Sequence, residues 1–440
     1  MSTLSARGKG FANAGKIREQ YEEIWANVYD VNTNPSGTIN LGTAENYVML
    51  NAVTAYINDH INFKGTDVNY GEGPWGSLRL RKAFAKHMDK YFKPHRPVAS
   101  DDILASTGCT SICEMLGFSL FEPGEGLLLS RPIYQAFQED FGLLKCIFVP
   151  SKGIDQFSMD AIKCYQEAIK ESEAKGIKVR AILLCNPHNP LGRCYEPDAL
   201  VEYMKLCQKY EIHLIVDEIY ALSVYKIPGN SNSGPLPFKS ILSFDTAQYI
   251  DKEYLHVLYG FSKDLASGGL RLGCIWTQNS SLVDSLSAQA FFNQPSNLCE
   301  TIGISILEND DWLDKFVATS QKRLAECSMV ARSLLDEYGI GYNRGASAGF
   351  FLRIDLRQFM MKDVDSITWD HERAFQLLLK KHKVYVTDGE GLSSEVPGFF
   401  RLCYVKHEAE VRLGLERLHE ALSEAGTTGM AEELDEVRMT

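Results

Sequence analysis

Short apolar runs recur through the middle of the chain, and each ends in a cluster of small or polar residues. Continuous runs of this kind are typical of parallel strands that are buried on both faces of a sheet. Strands are predicted at residues 103–106, 127–129, 181–185 and 213–216, and another ends at 257–258. Helices are predicted at residues 78–91, from 109 onward and at 198–210. This alternation predicts an α/β fold whose central sheet is mostly parallel.

Outside this region the pattern changes. Apolar residues recur at helical spacing over residues 17–29, which predicts an amphipathic arm. We expect a large domain over residues 60–310 and a smaller α/β domain that combines residues 1–59 with 311–440. The stretch 228–235, rich in Pro, Gly, Ser and Asn, predicts a mobile surface loop. The polar, acidic residues 426–440 are expected to fray.

Composition limits the class of protein. Of the 440 residues, 45% are hydrophobic and 23% charged, which is ordinary for a globular enzyme. The net charge of −12 argues against a nucleic-acid partner, and the eleven cysteines lack the paired spacing of a disulfide framework. No signal-peptide core, no run of about 20 apolar residues and no zinc motif is present in the sequence. We therefore expect a cytoplasmic enzyme that uses neither a membrane nor a metal.

The most informative stretch lies just after the strand that ends at 257–258. It reads Tyr259-Gly260-Phe261-Ser262-Lys263-Asp264, with Arg271 eight residues beyond the lysine. A partly desolvated lysine close to another cation loses its proton readily and attacks a carbonyl as a Schiff-base nucleophile. Arg271 is a candidate for that cation and equally for a phosphate ligand. The alternative is a lysine on a loop with its charge in water.

Other polar side chains stand at the ends of neighbouring predicted strands. Asn189 lies in a double Asn-Pro turn after 181–185, whereas Asp217 and Tyr220 come after 213–216. Ligands of open α/β sheets bind outside the carboxyl ends of the strands, so these side chains and Lys263 are expected to converge there. Residues 107–111 join a strand to a helix through small residues, which is typical of an anion site. Tyr134, after a further strand, is either a ring that covers a planar ligand or part of the core.

A lysine, a carboxylate and a phosphate cradle are the parts that pyridoxal 5′-phosphate requires. The lysine binds its aldehyde, the cradle binds its phosphate, and the carboxylate keeps its pyridine nitrogen protonated. Asp217 is the candidate for the last role, because a nearby negative charge favours the pyridinium.

The order of these motifs resembles the fold-type I pyridoxal-phosphate enzymes of the aminotransferase class I and II family, over about residues 41–422. Within that family the chain is most similar to the 1-aminocyclopropane-1-carboxylate synthase branch. The similarity rests on the segments 42–46 (Gly-Thr-Ala-Glu-Asn), 348–357 (Ala-Gly-Phe-Phe-Leu-Arg-Ile-Asp-Leu-Arg) and 400–404 (Phe-Arg-Leu-Cys-Tyr). The resemblance implies a homodimer with shared active sites.

The resemblance also implies a role for each site residue. Lys263 would form the covalent imine with the cofactor and serve as acid and base. The residues expected to hold the cofactor are Asp217 at the pyridine nitrogen, Asn189 and Tyr220 at the ring hydroxyl, Tyr134 on the ring, and Cys109, Thr110, Ser262 and Arg271 at the phosphate. Arg401 would bind the substrate α-carboxylate beside Ala44, and Tyr70 would reach the phosphate of the neighbouring subunit's cofactor.

Two positions depart from the family pattern. Gly260 stands where most members have Ser, so one hydroxyl ligand of the phosphate is missing and another donor must substitute or affinity falls. Tyr47 stands where plant synthases have Gln, which bears on the use of a sulfonium substrate. Glu45 has two interpretations, a group that steers the substrate carbanion toward elimination or ring closure, and an ion-pair partner at the pocket rim.

Three functions remain open at this level. The first is a lyase of the synthase type acting on S-adenosylmethionine or a related sulfur amino acid, with β-elimination by a carbon–sulfur lyase as an alternative. The second is an aminotransferase with a dicarboxylic or aromatic partner, and the third is a cofactor-binding protein without turnover. One fold hosts many reactions, so the resemblance does not choose among them.

Overall fold

A seven-stranded sheet forms the centre of the computed structural model, which describes residues 3–14, 22, 24–142, 144–227 and 236–439. The strand order is β2-β8-β7-β6-β5-β3-β4, and only β8 runs antiparallel to its neighbours. The seven strands are β2 (Ile103–Ser106), β3 (Gly126–Leu129), β4 (Lys145–Phe148), β5 (Val179–Cys185), β6 (His213–Asp217), β7 (Leu255–Gly260) and β8 (Gly273–Thr277). The predicted α/β fold with a mostly parallel sheet is confirmed.

Alternate residues of these strands supply two separate cores, because successive side chains point to opposite faces of a sheet. Leu127, Leu183 and Ile215 belong to one core, which also contains residues of α4 and α8. Ile182 and Leu214 belong to the other, which includes α3, α6, α7 and α9. The helices on the two faces are α3 (Leu78–Tyr91), α4 (Cys109–Leu120), α6 (Ala161–Ala174), α7 (Pro197–Tyr210), α8 (Ser280–Asn293) and α9 (Asn297–Glu308).

A second, smaller unit of structure adjoins this layer. Its strands are β1 (Ile39–Asn40) paired in parallel with β11 (Val384–Tyr385), and the antiparallel set β9 (Gly341–Tyr342), β10 (Phe351–Asp355) and β12 (Phe399–Cys403). The remaining helices are α1 (Ala6–Ala14), α2 (Leu50–His60), α5 (Phe137–Asp140), α10 (Asp310–Glu337), α11 (Arg357–Met360), α12 (Trp369–Lys381), α13 (Glu408–Thr428) and α14 (Ala431–Met439). Residues from 39 to 44 and from 324 onward share one hydrophobic core around these strands. The domain boundaries at 59/60 and 310/311 stay a prediction.

The prediction that residues 426–440 fray was wrong for the described residues 426–439. Helix α13 continues to Thr428, and α14 begins after a break at Met430, whose side chain is fully buried. Leu434 and Val437 pack on the core of the smaller unit. The acidic composition concealed this apolar stripe at positions 430, 434 and 437, which has the spacing of a helix face.

Two further predictions concern residues that the structure does not describe. The loop at 228–235 lies outside the described residues, as do residues 17–21 and 23 of the predicted arm. Within the part of the chain that the structure describes, no helix is both long enough and apolar enough to cross a membrane.

Candidate active site

A cavity of about 420 Å³ lies at the carboxyl ends of β5, β6 and β7, where the two units of structure meet. Twelve of the thirteen predicted site residues line it, namely Ala44, Glu45, Cys109, Thr110, Tyr134, Asn189, Asp217, Tyr220, Ser262, Lys263, Arg271 and Arg401. Parallel strands end at one edge of a sheet, which brings residues from distant parts of the chain together. Tyr70, which was expected to act on the neighbouring subunit, does not line this cavity and is 92% exposed.

Lys263 lies three residues beyond the end of β7 and points into the cavity. Its Nζ donates a hydrogen bond of 2.6 Å to the carbonyl oxygen of Ala44. Burial lowers the pKa of Lys263, and the nearby charge of Arg401 lowers it further. The lysine is therefore closer to its neutral, nucleophilic form than a lysine in water.

Asp217 is the last residue of β6, and 6% of its surface is exposed. Its Oδ1 accepts a hydrogen bond of 3.1 Å from the backbone N–H of Ile219. Burial raises the pKa of Asp217 to about 7, although this hydrogen bond and the charge of Lys263 act in the opposite direction. A carboxylate in this state is stabilised by a bound cationic group, as a protonated pyridine nitrogen is.

Tyr220 and Asn189 lie on the wall beside Arg401. The hydroxyl of Tyr220 is buried and has no hydrogen-bond partner among the described residues. The Oδ1 of Asn189 accepts a hydrogen bond of 2.9 Å from Nη1 of Arg401, which leaves the amide N–H groups of Asn189 as donors. A buried hydroxyl without a partner is costly, so this wall fits a ligand oxygen.

Arg401 reaches the cavity from β12 in the smaller unit and is 3% exposed. Its Nη2 donates to the carbonyl oxygen of Gly42 at 2.7 Å and to Oγ1 of Thr387 at 3.1 Å. Its Nε is buried and lacks a partner among the described residues. A buried guanidinium held by neutral acceptors retains the positive charge that binds a carboxylate.

The start of α4 forms the opposite end of the cavity. Gly108 precedes this helix with φ 90°, and the guanidinium of Arg271 packs so closely that a Cβ at Gly108 would lie 2.9 Å from Nη2. Cys109 and Thr110 form the first turn, and Ser262 lines the same cavity. The positive end of a helix beside an arginine and hydroxyl groups is a site for a phosphate.

The donor set therefore fits pyridoxal 5′-phosphate. It offers an amine for the aldehyde, a carboxylate for the ring nitrogen, an unpartnered phenol for the ring hydroxyl and a cradle for the phosphate. Among the described residues, no cluster of three His, Cys, Asp or Glu side chains is placed to bind a metal ion.

Close backbone packing, which the sequence did not show, explains why position 260 is a glycine. Gly260 pairs with Gly273 across β7 and β8, and a Cβ at Gly260 would lie 2.9 Å from the carbonyl oxygen of Leu272. A Cβ at Gly273 would in turn lie 3.0 Å from Cα of Gly108. Backbone atoms occupy the space that a serine side chain at position 260 would need. Glycines at 108, 260 and 273 therefore allow β7, β8 and the start of α4 to pack closely.

Glu45 lines the cavity, and its charge partly offsets the lowering of the Lys263 pKa that burial and Arg401 cause. The phenol of Tyr47 lies beside the Glu45 carboxylate, and burial together with this carboxylate raises the pKa of Tyr47. The ammonium of Lys406 lies 3.9 Å from the centre of the Tyr47 ring. Among the described residues no ion pair of Glu45 within 4.0 Å is found, so its neighbours are a phenol and the cavity.

Sequence reasoning missed several residues of the wall. They are Ile24, Trp25, Thr43, Cys113, Gln135, Phe137, Asp140, Cys185, Ile219 and Tyr385. Burial raises the pKa of Asp140 to about 7, with the charges of Glu139 and Asp217 acting in the same direction. Tyr385 lies against Gly42, where an added Cβ would meet its ring at 2.2 Å. Two of these residues lay in stretches that the sequence had singled out, Thr43 in the segment 42–46 and Trp25 in the helical spacing of 17–29, but neither signal identified them as part of the cavity wall.

The fold and the site together define a fold-type I pyridoxal-phosphate enzyme. The family model for aminotransferase class I and II matches residues 36–418, so the chain belongs to that family, whose cofactor is pyridoxal 5′-phosphate. The chain is 28% identical to the 1-aminocyclopropane-1-carboxylate synthase-like protein 1 of Mus musculus, over 96% of this chain and 83% of that protein.

Two further proteins extend the comparison. A probable inactive 1-aminocyclopropane-1-carboxylate synthase-like protein 2 of Mus musculus is also 28% identical, over 96% of this chain and 72% of that protein. The aspartate aminotransferase of Thermus thermophilus with maleate has the same fold, with a TM-score of 0.73 and 17% identity over 96% of this chain and 100% of that one. The predicted family and its synthase-like branch are confirmed.

Replacing Gly260 by Ser tests the glycine packing. We expect G260S to lose about 1–3 kcal/mol of unfolding free energy, because the added atoms overlap backbone. We also expect its affinity for pyridoxal phosphate to be no higher than that of the wild type. Denaturant unfolding and a cofactor titration followed by absorbance measure both quantities. The control is G426S, where a Cβ meets nothing within 4 Å; a stable G260S that binds the cofactor more tightly would contradict the packing argument.

Replacing Asp217 by Asn tests the buried carboxylate in the cofactor-free protein. The pKa of Asp217 is raised from 3.8 to about 7 in the folded state, so wild-type stability falls as the pH rises between these values. D217N avoids this loss and should be more stable by about 2–4 kcal/mol at pH 8, with little difference at pH 4. Added cofactor should stabilise the wild type more than D217N.

Thermal or urea unfolding from pH 4 to pH 8, with and without pyridoxal phosphate, provides the measurement. The matched control is D284N, because Asp284 is exposed on α8. A difference between wild type and D217N that does not change with pH would show that the carboxylate is not desolvated.

Proposed function

We propose that the protein is a pyridoxal-phosphate-dependent lyase of the 1-aminocyclopropane-1-carboxylate synthase type. Its substrate would be S-adenosylmethionine or a related sulfur amino acid. The observation that carries the proposal is Glu45, an acidic group on the cavity wall whose charge acts on Lys263. A group in this position is suited to direct the reaction once the α-proton has been lost.

Arg401 and Lys263 would prepare the substrate. The guanidinium of Arg401 binds the α-carboxylate and fixes the orientation of the α-carbon. Lys263, whose pKa is lowered by burial, would be the base that accepts the α-proton at Nζ. When bound, the cofactor takes up the electron pair that this proton leaves behind, which the negative charge of Asp217 favours.

The reaction then depends on the leaving group. In ring closure the α-carbon bonds to the γ-carbon, the γ-carbon–sulfur bond breaks, and a neutral thioether leaves with the electron pair. The Glu45 carboxylate favours positive charge nearby, which suits a sulfonium group before it departs.

Transamination is the second candidate, and Tyr47 favours it. Its phenol lies beside the Glu45 carboxylate and takes up a hydrogen-bonding position of Glu45. That position is then not free to contact a substrate and direct it toward ring closure. One relative at 28% identity carries the name of a probable inactive synthase-like protein, so identity alone does not decide the outcome.

Product analysis of the purified holoenzyme separates the candidates. It is incubated with S-adenosylmethionine and, separately, with L-cysteine or L-methionine without an oxo-acid acceptor. Methylthioadenosine with the cyclic amino acid supports the proposal. A released thiol or sulfide with ammonia and an oxo acid points instead to a carbon–sulfur lyase. Conversion of the cofactor to its amine form alone points to the aminotransferase.

Two variants sharpen this experiment. K263A should lose all three activities, whereas K362A, which changes an exposed lysine, should retain them. E45Q should lose lyase activity by about tenfold or more and still exchange the α-proton with solvent deuterium. Unchanged products and rates in E45Q would contradict the role of Glu45.

The assembly and compartment are part of the proposal. All eleven cysteines are free thiols, which suits a reducing compartment such as the cytoplasm. Four apolar residues, Val68, Tyr70, Phe291 and Phe292, are each more than two-thirds exposed, and we call them the exposed patch. Nδ2 of Asn297, at the start of α9, donates to the Asn69 carbonyl oxygen at 2.6 Å, which joins the segment of Val68 and Tyr70 to the residues that follow α8. We propose that a second copy of the chain covers this patch and brings Tyr70 to its cofactor phosphate.

Light scattering on the holoenzyme tests the dimer. F292D should shift the mass from twice 49.4 kDa to 49.4 kDa, because a charge at a buried interface is unfavourable. M439D changes a residue that is 83% exposed and should leave the mass unchanged. Y70F should remain dimeric but bind the cofactor about tenfold more weakly. A monomeric wild type, or Y70F with unchanged affinity, would contradict the shared site.

A further inference from the structure

The cavity wall contains a part of the chain that none of the assigned roles uses. Ile24 and Trp25, from the amino-terminal segment of the chain, line the cavity, and 53% of the Trp25 surface is exposed. They are more than 160 residues in sequence from Asn189 and Asp217, yet all four side chains face one cavity. We call Ile24 and Trp25 the amino-terminal wall.

The segment after this wall is fixed to the smaller unit of structure. The backbone N–H of Tyr29 donates to the Thr38 carbonyl oxygen at 3.0 Å, and Nδ2 of Asn34 donates to Oδ1 of Asn27 at 2.9 Å. Arg417 of α13 donates to the Gly37 carbonyl oxygen at 2.6 Å. The wall is therefore placed by hydrogen bonds to the same unit that carries Arg401.

The charges of the cavity restrict the kind of side chain that this wall can face. Three cations of this chain line the cavity, and each already has a role, Lys263 at the cofactor aldehyde, Arg271 at the start of α4, and Arg401 at the α-carboxylate. No further Lys or Arg among the described residues lines the cavity, whereas Glu45 contributes a negative charge. Among the described residues a carboxylate on the substrate side chain would find no further cation, and it would be repelled by Glu45.

The remaining surface near Gly42 is apolar and aromatic. The ring of Tyr385 lies against Gly42, and Trp25 adds an indole at the mouth of the cavity. Aromatic faces stabilise apolar groups by burial and thioether sulfur by direct contact. Phenylalanine gains burial against these rings and methionine gains both contacts, whereas alanine is too short to gain either.

We propose that the amino-terminal wall binds the substrate side chain and selects α-amino acids whose side chains carry an aryl group or a sulfur centre, against those with a side-chain carboxylate. This deepens the proposed function, since it rests on the binding of an α-amino acid at Arg401. Trp25 and Ile24 act here as specificity residues and take no part in proton transfer.

Equilibrium binding to the holoenzyme tests the wall. L-Phenylalanine, L-methionine, L-alanine and L-aspartate are titrated while the absorbance of the cofactor and the tryptophan fluorescence are recorded. The wild type should bind L-phenylalanine and L-methionine at least tenfold more tightly than L-aspartate. W25A should lose about tenfold in affinity for the two long apolar amino acids and less than twofold for L-alanine. W25F should retain the affinities of the wild type but lose the part of the fluorescence change that arises from Trp25.

The control is V31A, in the same amino-terminal segment, where Val31 is 68% exposed and does not line the cavity. V31A should bind all four amino acids as the wild type does. Equal losses for all four amino acids in W25A, or tight binding of L-aspartate by the wild type, would contradict the role of the amino-terminal wall in side-chain selection. Neither result would contradict the proposed function. No binding of any amino acid by the holoenzyme would overturn both.

Discussion

A carboxylate that burial keeps away from water is the constraint on which this cavity depends. Asp217 ends the central strand β6, accepts one backbone hydrogen bond, and has its pKa raised to about 7 by burial. A cationic group bound beside Asp217 would compensate this cost, since opposite charge favours the ionised form. Cofactor binding and protein stability are thereby linked through one side chain.

The second constraint is the contact between the two units of structure. Arg401 of β12 donates to Asn189, which lies just after β5, and to the carbonyl oxygen of Gly42. The same residues that are expected to bind the substrate carboxylate and the cofactor hydroxyl therefore join the two units. Any movement of the smaller unit displaces Arg401 relative to Lys263, so substrate binding and the relative position of the units are coupled.

Much of the large sheet could be predicted from the sequence, because its strands are continuous apolar runs that end in distinctive polar residues. The predicted helix at 78–91 is present as Leu78–Tyr91, and the strand at 103–106 as Ile103–Ser106. The carboxyl terminus could not be predicted in this way. Its apolar residues Met430, Leu434 and Val437 are separated by acidic residues, and only the groove that they pack on makes them core residues.

The sequence by itself determined the chemistry of the site, because the lysine, the carboxylate, the anion-binding turn and the arginine each stand at the end of a recognisable segment. The family and its cofactor could be inferred from these groups and their order along the chain. Tertiary structure alone decided that Trp25, Asp140 and Tyr385 share the cavity, and that Gly260 is fixed by backbone packing. The physical reason is that a chemical group is encoded by one residue, whereas a cavity wall or a close contact depends on which distant segments the fold brings together.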